Sequence, residues 1–413
     1  MRKKIIWRII VALLVCGGVF LILFQLPAFN RRVIWRWEIM RAYAWGVLHP
    51  VEAAPTPLPP PAVYITRVAT PIKSISSDIA HLDGTPTPTA TLAPIPSALV
   101  LPAPAWEKQD INNCGPAALT MYLRYWGWQG DQYAISNLVK PQRDDRNVNV
   151  EELVYYVRTQ VGWLDTEYRV GGDLDLLKLL LANGFPVMIE ESFYFDTPFY
   201  PNDDLWAAHY NLITGYDDKE GVFITQDSYH GANLKMTYPQ IAQYWQPFNY
   251  VYLLLFPPEK KNEIMAILGA DWDEVQNRQN ALGLAKTQSE ENPQDAFAWF
   301  NIGTNQVYFE NYVDAALAYD QARKIGLPQR MYRYQFGPFF AYFHSGRIDD
   351  LLALAEYALK RTPNSEEALM WRGWAYYRQR KINLAVADFR SALEQNPNDQ
   401  DAQYALNFVL NNP

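Results

Sequence analysis

The sequence predicts a multidomain chain in which a single N-terminal transmembrane helix precedes an α+β domain and then an all-α helical array. Three observations predict this order: an uncharged apolar run near the N-terminus, a proline-rich stretch behind it, and a repeat of about 34 residues in the last third. At 413 residues the chain is too long for one ordinary domain. We therefore expect two folded domains joined by connecting material.

Charge and cysteine content exclude several classes of protein. The net charge of −8 gives no basic stripe for phosphate recognition, so a nucleic-acid partner is not expected. Only two cysteines, Cys16 and Cys114, are present, which excludes a disulfide framework. No spacing of histidine, cysteine and carboxylate residues indicates zinc, and no cofactor is expected.

The predicted membrane segment is residues 1–30. From Ile9 to Phe29 the chain is apolar apart from Gln25, and these 21 residues at helical rise can cross a bilayer. No small-residue cleavage signature follows, which favours an uncleaved signal anchor. Residues 31–49 interleave arginines with large apolar side chains, as in a helix that lies at the membrane interface and binds anionic lipid.

Residues 50–104 form the predicted linker. Thirteen of these 55 residues are proline, including the runs Pro57–Pro61 and Thr85–Thr91. Such a composition predicts an extended, disordered spacer. Four basic residues on each side of the apolar run leave the positive-inside rule undecided, and a stalk of this type favours an extracytoplasmic position for the domains that follow.

Cys114 is the candidate nucleophile. Pro116 and the apolar residues behind it predict a helix whose amino end carries this cysteine. Unpaired amides and the positive end of the helix dipole stabilise a thiolate at that position. Gln109, five residues upstream, can supply an amide donor beside the backbone N–H of Cys114, and the two together would make an oxyanion hole.

His209 is the candidate general base, because a thiolate needs a group that takes its proton and later returns it. It opens an alternating run, His209–Tyr216, which an acidic turn connects to a second strand ending at Asp227. Pairing of the two strands in the simple register would bring Asp227 near the imidazole. Asp217, Asp218 and Gln226 remain alternative partners for the ring. His230 is expected to be a loop residue, and the acidic turn a solvated one.

These segments resemble a papain-like cysteine peptidase domain of the bacteriocin-processing, double-glycine leader type. The resemblance covers residues 105–257 and rests on Gln109, Asn113–Ala118, His209–Tyr216 and Asp227, with Asp173–Ile189 as an intervening helix and strand. It departs from many relatives in having Ser228 where they have proline after the aspartate. No transporter or ATPase domain accompanies it, so a double-glycine leader is not implied as the substrate.

The resemblance implies specific roles for four residues. Cys114 would be the nucleophile, His209 the general base and acid, Asp227 the orienting residue and Gln109 the oxyanion donor. The implied activity is hydrolysis of peptide or related amide bonds in a peptide or protein substrate, through an acyl-enzyme. Two alternatives stay open, namely a catalytically silent binding scaffold and an acyl or transpeptidase-type transferase that uses the same triad.

Residues 258–413 follow the period of stacked helix-turn-helix units. Three units and a degenerate leading unit resemble the tetratricopeptide repeat. The matching positions are Trp299, Ile302, Gly303, Ala315, Tyr319, Ala322 and Pro328; Tyr342, Ala355, Ala358 and Pro363; Gly373, Tyr376, Ala385, Phe389, Ala392 and Pro397; and, in the leading unit, Leu268, Gly269, Trp272, Ala281 and Pro293. Such an array is implied to bind a protein partner.

Overall fold

The computed structural model describes residues 2–50, 52–59, 94–143, 145–198 and 203–412. Most of the predicted linker, including the run Thr85–Thr91, lies outside the described residues. The chain divides into two units, one formed by residues 1–52 and 195–205 and the other by residues 53–194 and 206–413.

The first unit contains the helices α1 (Arg2–Phe24) and α2 (Pro27–Leu48). The predicted span from Ile9 to Phe29 is wrong at its end, because α1 stops at Phe24 and Pro27 begins a new helix. A proline lacks the N–H that a continuing helix needs and fits the first turn of the next one. Among the described residues one stretch, Ile6–Phe24, is long and apolar enough to cross a membrane, with 19 residues and a mean hydropathy of 2.6.

The second unit begins with a sheet of seven antiparallel strands. Its helices are α3 (Cys114–Tyr125), α4 (Gln132–Val139), α5 (Val150–Gln160), α6 (Leu174–Ala182) and α7 (Tyr238–Trp245). Its strands are β1 (Ala98–Val100), β2 (Asp165–Arg169), β3 (Val187–Tyr194), β4 (Trp206–Asp217), β5 (Val222–Asp227), β6 (Gly231–Thr237) and β7 (Tyr252–Phe256). The strand order is β2-β7-β3-β4-β5-β6, with β1 paired to the end of β4.

Helices cover both faces of this sheet. Leu253 and Leu255 of β7 join the core formed with α3 and α5, whereas Leu254 and Phe256 join the core formed with α6 and α8 (Lys261–Leu268). Consecutive strand residues point to opposite faces, so a strand covered on both sides is apolar throughout. This explains why Tyr252–Phe256 is an uninterrupted run of apolar and aromatic residues.

The boundary between linker and domain lies earlier than predicted. β1 falls inside the range 50–104 that the sequence assigns to the linker, yet Leu99 pairs with Tyr216 in the sheet. A strand of three residues is too short to show an alternation of apolar and polar side chains. The sequence therefore does not distinguish it from the proline-rich segment around it.

The remaining helices form the array. They are α9 (Glu274–Glu291), α10 (Ala296–Tyr308), α11 (Tyr312–Ile325), α12 (Gly337–His344), α13 (Ile348–Arg361), α14 (Glu366–Arg378), α15 (Ile382–Gln395) and α16 (Gln400–Asn411). Side chains of Asp273, Asp295, Ser365 and Asp399 accept N-cap hydrogen bonds from the first turns of their helices. Because Pro338 fits only the first turn of a helix, α12 begins at Gly337 and is shorter than its counterparts α10 and α14.

The array packs directly against the sheet domain. Asn277 of α9 bonds both backbone groups of Val170, at 3.0 and 2.8 Å, and Asn249 Nδ2 donates to Asn305 Oδ1 at 3.0 Å. One hydrophobic core runs from the domain into the array without interruption. Buried amide groups that are fully paired fix such an interface in one register.

Candidate active site

Cys114 begins α3 and is partly exposed. Its helix start lies close to β4, because a Cβ at Gly115 would come within 3.2 Å of the Tyr210 ring. Tyr210 follows His209 on that strand. Gly115 therefore allows the thiol at the amino end of the helix to approach the histidine.

A β-bulge decides which face of the sheet Asp227 occupies. Simple pairing from the turn, with Asp217 opposite Val222, would put Asp227 opposite Leu212. The register shifts between Ile213 and Gly215, and Asp227 lies opposite Asn211 instead. A slip of one residue moves a side chain to the other face, so the bulge brings Asp227 to the face that carries His209.

The structure brings His209 and Asp227 into contact. His209 is 2% exposed, and its Nε2 lies 3.0 Å from Asp227 Oδ1. That contact leaves Nδ1 as the ring nitrogen available to the thiol of Cys114, which lines the same small pocket as His209. The alternative partners lie elsewhere: the Asp217 carboxylate caps its own turn, Asp218 accepts from Tyr238, and Gln226 bonds Thr214.

Electrostatics at this contact favour a charged pair. Burial raises the pKa of the Cys114 thiol, but the hydrogen bond and charge of His209 outweigh it, so the pKa lies below its ordinary value. Burial lowers the pKa of the His209 ring, and the charge and hydrogen bond of Asp227 outweigh it, so this pKa lies well above the ordinary value. Both shifts favour thiolate and imidazolium together.

Asp227 also contacts His230, which lies in a turn as predicted but whose contact with Asp227 the sequence analysis did not predict. Its Oδ1 accepts from the backbone N–H groups of Tyr229 and His230, at 2.7 and 2.9 Å, and its Oδ2 lies 2.7 Å from His230 Nδ1. Burial raises the pKa of Asp227, but these contacts and the charge of His209 bring it far below its ordinary range. The three-residue spacing from aspartate to histidine was the available signal, since aspartate commonly bonds the backbone just after it.

Gln109 lies on the loop that leads to Cys114. Its backbone N–H donates to Ser228 O at 2.9 Å, and its side-chain Oε1 accepts from the Ser228 hydroxyl at 2.9 Å. The Ser228 hydroxyl thus holds the amide oxygen of Gln109. With Oε1 engaged, the Nε2 group is the part of the amide that can donate elsewhere.

Gln132, at the start of α4, ties the same loop to the domain. Its Oε1 accepts from Asp110 N and Asn113 Nδ2, both at 2.7 Å. Its Nε2 donates to Lys108 O at 2.8 Å and to Glu107 Oε1 at 2.9 Å. A buried amide with all four partners satisfied fixes the loop that carries Gln109 and Asn113.

Two buried carboxyl groups of β3 were not predicted. Glu191 pairs with His209 across the strands, accepts from Asn211 Nδ2 at 3.1 Å, and has a pKa that burial raises to about 7. Burial raises the pKa of its neighbour Glu190 well above the ordinary range. Their signal is weak in the sequence, because two acidic residues inside an apolar strand can equally mark an exposed edge.

A small pocket opens onto Cys114, and the array forms part of its wall. Glu190, His209 and Tyr210 line it from the domain, and Tyr334 lines it from the array. Arg330, in the same turn of the array, donates from Nη1 to Trp206 O at 2.9 Å. Access to the candidate nucleophile therefore depends on the array as well as on the domain. Within the described ranges no group of three or more His, Cys, Asp or Glu side chains is arranged to hold a metal ion.

Comparison with known families finds a match in each of two parts of the chain. Residues 100–253 match the Peptidase C39 like family, and residues 366–399 match the tetratricopeptide repeat. No curated protein matches the chain by sequence. The predicted resemblance is confirmed, and so is the predicted fold class of a sheet-containing peptidase domain with a helical repeat array.

Solved structures with similar parts include peptidases and repeat proteins. Xylellain, a cysteine protease from Xylella fastidiosa, has 17% identity and a TM-score of 0.31 over 44% of this chain and 94% of its own. The peptidase domain of Streptococcus ComA, a bifunctional ABC transporter of a quorum-sensing pathway, has 16% identity and a TM-score of 0.29 over 37% and 96%. YrrB, a TPR protein with an unusual peptide-binding site, has 19% identity and a TM-score of 0.29 over 33% and 70%.

Proposed function

We propose that this chain, which joins a peptidase C39-like domain to tetratricopeptide repeats, is a membrane-anchored cysteine peptidase that hydrolyses peptide bonds through Cys114, His209 and Asp227. The observation that carries the proposal is the contact of the Asp227 carboxylate with the His209 ring, in a pocket that His209 shares with the thiol at the start of α3. This chemistry requires a buried carboxylate that orients the imidazole and an imidazole that activates the nucleophile.

In the acylation step the Cys114 thiolate attacks the scissile carbonyl carbon and forms a carbon–sulfur bond. The carbonyl oxygen becomes an oxyanion, which the Cys114 N–H and Gln109 Nε2 stabilise. The carbon–nitrogen bond then breaks, and the leaving amine takes the proton held by the His209 imidazolium. Asp227 keeps the ring oriented throughout.

Deacylation reverses the role of the histidine. A water molecule gives a proton to His209 as its oxygen attacks the acyl carbon. The carbon–sulfur bond breaks, and the product acid leaves the thiolate and imidazolium in their starting state. The same acyl-enzyme could pass its acyl group to an amine, which is the transferase alternative.

The position of Tyr334 supports a role for the array in substrate selection. A peptide bound at Cys114 would lie beside Tyr334 of the array and Glu190 of the sheet, which line the pocket next to the thiol. Folded proteins should be excluded by so narrow an opening, and extended segments admitted. The repeats would bring a protein partner to this entrance.

The helix Ile6–Phe24 supports anchorage in a membrane, and the proline-rich linker supports an extracytoplasmic position for the catalytic domain. The position of the catalytic domain relative to the membrane can be tested with one reagent. A membrane-impermeant maleimide should label Cys114 on intact cells as fast as on broken ones. Labelling only after lysis would place the domain on the cytoplasmic side.

The test of the catalytic pair is thiol labelling of the full chain in a Cys16→Ala background, where Cys114 is the remaining thiol. With the thiolate stabilised by His209, iodoacetamide should react at pH 6 on the order of 10- to 100-fold faster than in His209→Ala, where the thiol returns to an ordinary pKa. The matched control His49→Ala, at the residue just after α2, should keep the wild-type rate.

Peptide cleavage completes the test. A defined mixture of unstructured peptides, analysed by mass spectrometry with and without an added amine, should give hydrolysis products that are absent with Cys114→Ala. Aminolysis products in place of acids would favour the transferase alternative. Equal labelling of wild type and His209→Ala would contradict the pairing, and no products at all would favour the silent scaffold.

A further inference from the structure

A short part of the linker lies on the helical array. Residues 53–59, with the sequence Ala-Ala-Pro-Thr-Pro-Leu-Pro, belong to the same structural unit as the repeats. Ala54 packs against the core that runs through the array, and Pro57 is buried. We call residues 53–59 the docking segment.

The array presents a buried charged cluster at this place. Arg347 pairs with Asp320 at 2.5 Å and with Asp350 at 2.8 Å, and the hydroxyl of Tyr342 donates to Asp320 at 2.8 Å. Arg323 donates to the same hydroxyl at 2.8 Å. These five residues, which we call the Arg-Asp cluster, lie on α11, α12 and α13 and at the turn before α13.

The docking segment supplies backbone partners to this cluster. Leu58 N–H donates to Asp350 Oδ1 at 3.0 Å, and Leu58 O accepts from Arg347 Nη2 at 3.2 Å. Pro55 O accepts from Arg323 Nη2. Both backbone groups of one residue are thus held by oppositely charged side chains. A buried ion pair needs partners for its remaining donors and acceptors, and the segment's backbone supplies one each to Arg347, Asp350 and Arg323.

The sequence of the docking segment suits this mode of binding. Prolines at 55, 57 and 59 fix their own φ and keep the preceding residues extended, so the segment loses little conformational entropy when it docks. Proline also lacks an N–H, which leaves few donors to bury. Leu58 lies between two prolines, and its backbone N–H is the donor that binds Asp350.

We propose that the Arg-Asp cluster is a binding site for an extended proline-alternating peptide, and that its occupant is the chain's own docking segment. The site recognises the backbone of the residue between two prolines, and the prolines supply the extended shape. Because the occupant is tethered, its effective concentration is on the order of millimolar, and it outcompetes free peptides of the same kind. Docking therefore fixes the start of the linker to the repeats.

The test uses the full chain in detergent micelles and two substitutions at one position. Leu58→Pro removes the N–H that Asp350 accepts and keeps an extended backbone, so it should release the segment. Leu58→Ala keeps the N–H and changes only a side chain that is half exposed, so it should behave as wild type. The probe is a fluorescein-labelled synthetic peptide of residues 53–59, followed by fluorescence anisotropy.

We expect the peptide to bind the Leu58→Pro chain at least about tenfold more tightly than it binds wild type or Leu58→Ala. A peptide with proline at the position of Leu58 should not bind. Equal binding to all three chains, or binding of the proline peptide, would overturn the site. Hydrogen exchange gives a readout independent of peptide affinity: the Leu58 amide of wild type should exchange at least about tenfold more slowly than in the free peptide, and equal rates would overturn the docking.

Discussion

At the scale of single side chains, one carboxylate orients two imidazoles. Asp227 Oδ1 meets His209 and Oδ2 meets His230, and two backbone N–H groups complete its set of partners. His209 is buried beside the thiol, whereas the side chain of His230 is 45% exposed. The two histidines should therefore differ in their effect on the thiol, although they share one partner.

Asp227→Asn should slow labelling of Cys114 far more than His230→Ala does. The carboxylate raises the pKa of His209, so its loss lowers that pKa, and the thiolate–imidazolium pair is depleted at pH 6. We expect the labelling rate at pH 6 to fall about tenfold or more in Asp227→Asn and peptide hydrolysis to fall by about 10²- to 10⁴-fold. His230→Ala should change the labelling rate by less than about threefold, since Oδ1 still faces His209.

These two variants are compared by iodoacetamide kinetics from pH 5 to 9. In wild type the rate should stay higher toward low pH than in Asp227→Asn, because the lowered pKa of Cys114 keeps more of the thiolate populated. In Asp227→Asn the rate should rise with pH. A pH profile for Asp227→Asn that matches wild type would show that the carboxylate does not act on the ring.

At the scale of secondary-structure elements, the bulge in β4 sets the face on which Asp227 lies. β1 runs beside this part of β4, and a Cβ at Gly215 would lie 2.6 Å from Leu99 O and 2.9 Å from Val100 Cα. No side chain fits at that distance without displacement of the backbone. Gly215 thus allows β1 to pair with β4 at the point where the register between β4 and β5 shifts.

Gly215→Ala should damage both stability and the site. We expect the free energy of unfolding to fall by about 1–3 kcal/mol, because β1 or the bulge must move to admit the methyl group. Labelling of Cys114 should slow as well, since a change of register turns Asp227 away from His209. Gly162→Ala is the matched control, because a Cβ there meets nothing within 4 Å.

Urea unfolding and labelling rates measure the two effects separately. Gly162→Ala should leave the unfolding free energy within about 0.5 kcal/mol of wild type. If Gly215→Ala loses stability but keeps the labelling rate, the bulge does not control the position of Asp227.

At the scale of the whole molecule, buried acidic residues lie where the repeats meet the domain. Asn147 Nδ2 donates to Glu367 Oε1 at 2.6 Å, next to Asp145, Glu152 and Glu366. Burial, and then the charge of Asp145, raises the pKa of Glu367 to about 7. Docking of α14 on the domain should therefore be sensitive to pH.

Glu367→Gln should reduce the loss of stability at high pH. A carboxyl whose folded-state pKa exceeds its unfolded value stabilises the fold fully below about pH 4.5, and that contribution is lost as pH rises through about 7. Glutamine keeps the acceptor for Asn147 and cannot ionise. We expect the variant to match wild type at pH 4.5 and to be more stable by about 1–3 kcal/mol at pH 8.

Thermal unfolding at pH 4.5, 6 and 8 measures this difference, with Glu290→Gln, an exposed substitution on α9, as the control. The control should follow wild type at each pH. A constant offset between Glu367→Gln and wild type at all three values would show that the carboxyl does not ionise in the folded protein over this range.

The sequence alone determined the features that depend on local chemistry. A proline in the first turn marked the helix that begins at Cys114, and a repeat near 34 residues marked the stacked helices. Pro27 also carried the signal for the end of α1, which the prediction overlooked in favour of an unbroken apolar run. The proline signals lie within one or two turns of a helix, and the repeat is visible in the order of residues along the chain, so none of them depends on contacts between distant elements.

Only the tertiary structure decided how the distant parts meet. The face of Asp227 depended on a bulge, the ring of His230 turned back to Asp227, and Tyr334 reached the pocket from the array. The backbone of Leu58 is hydrogen-bonded to two side chains that lie 289 and 292 residues further along the chain. Such contacts depend on register and packing between elements, and these follow from the burial of whole faces, which no short stretch of sequence encodes.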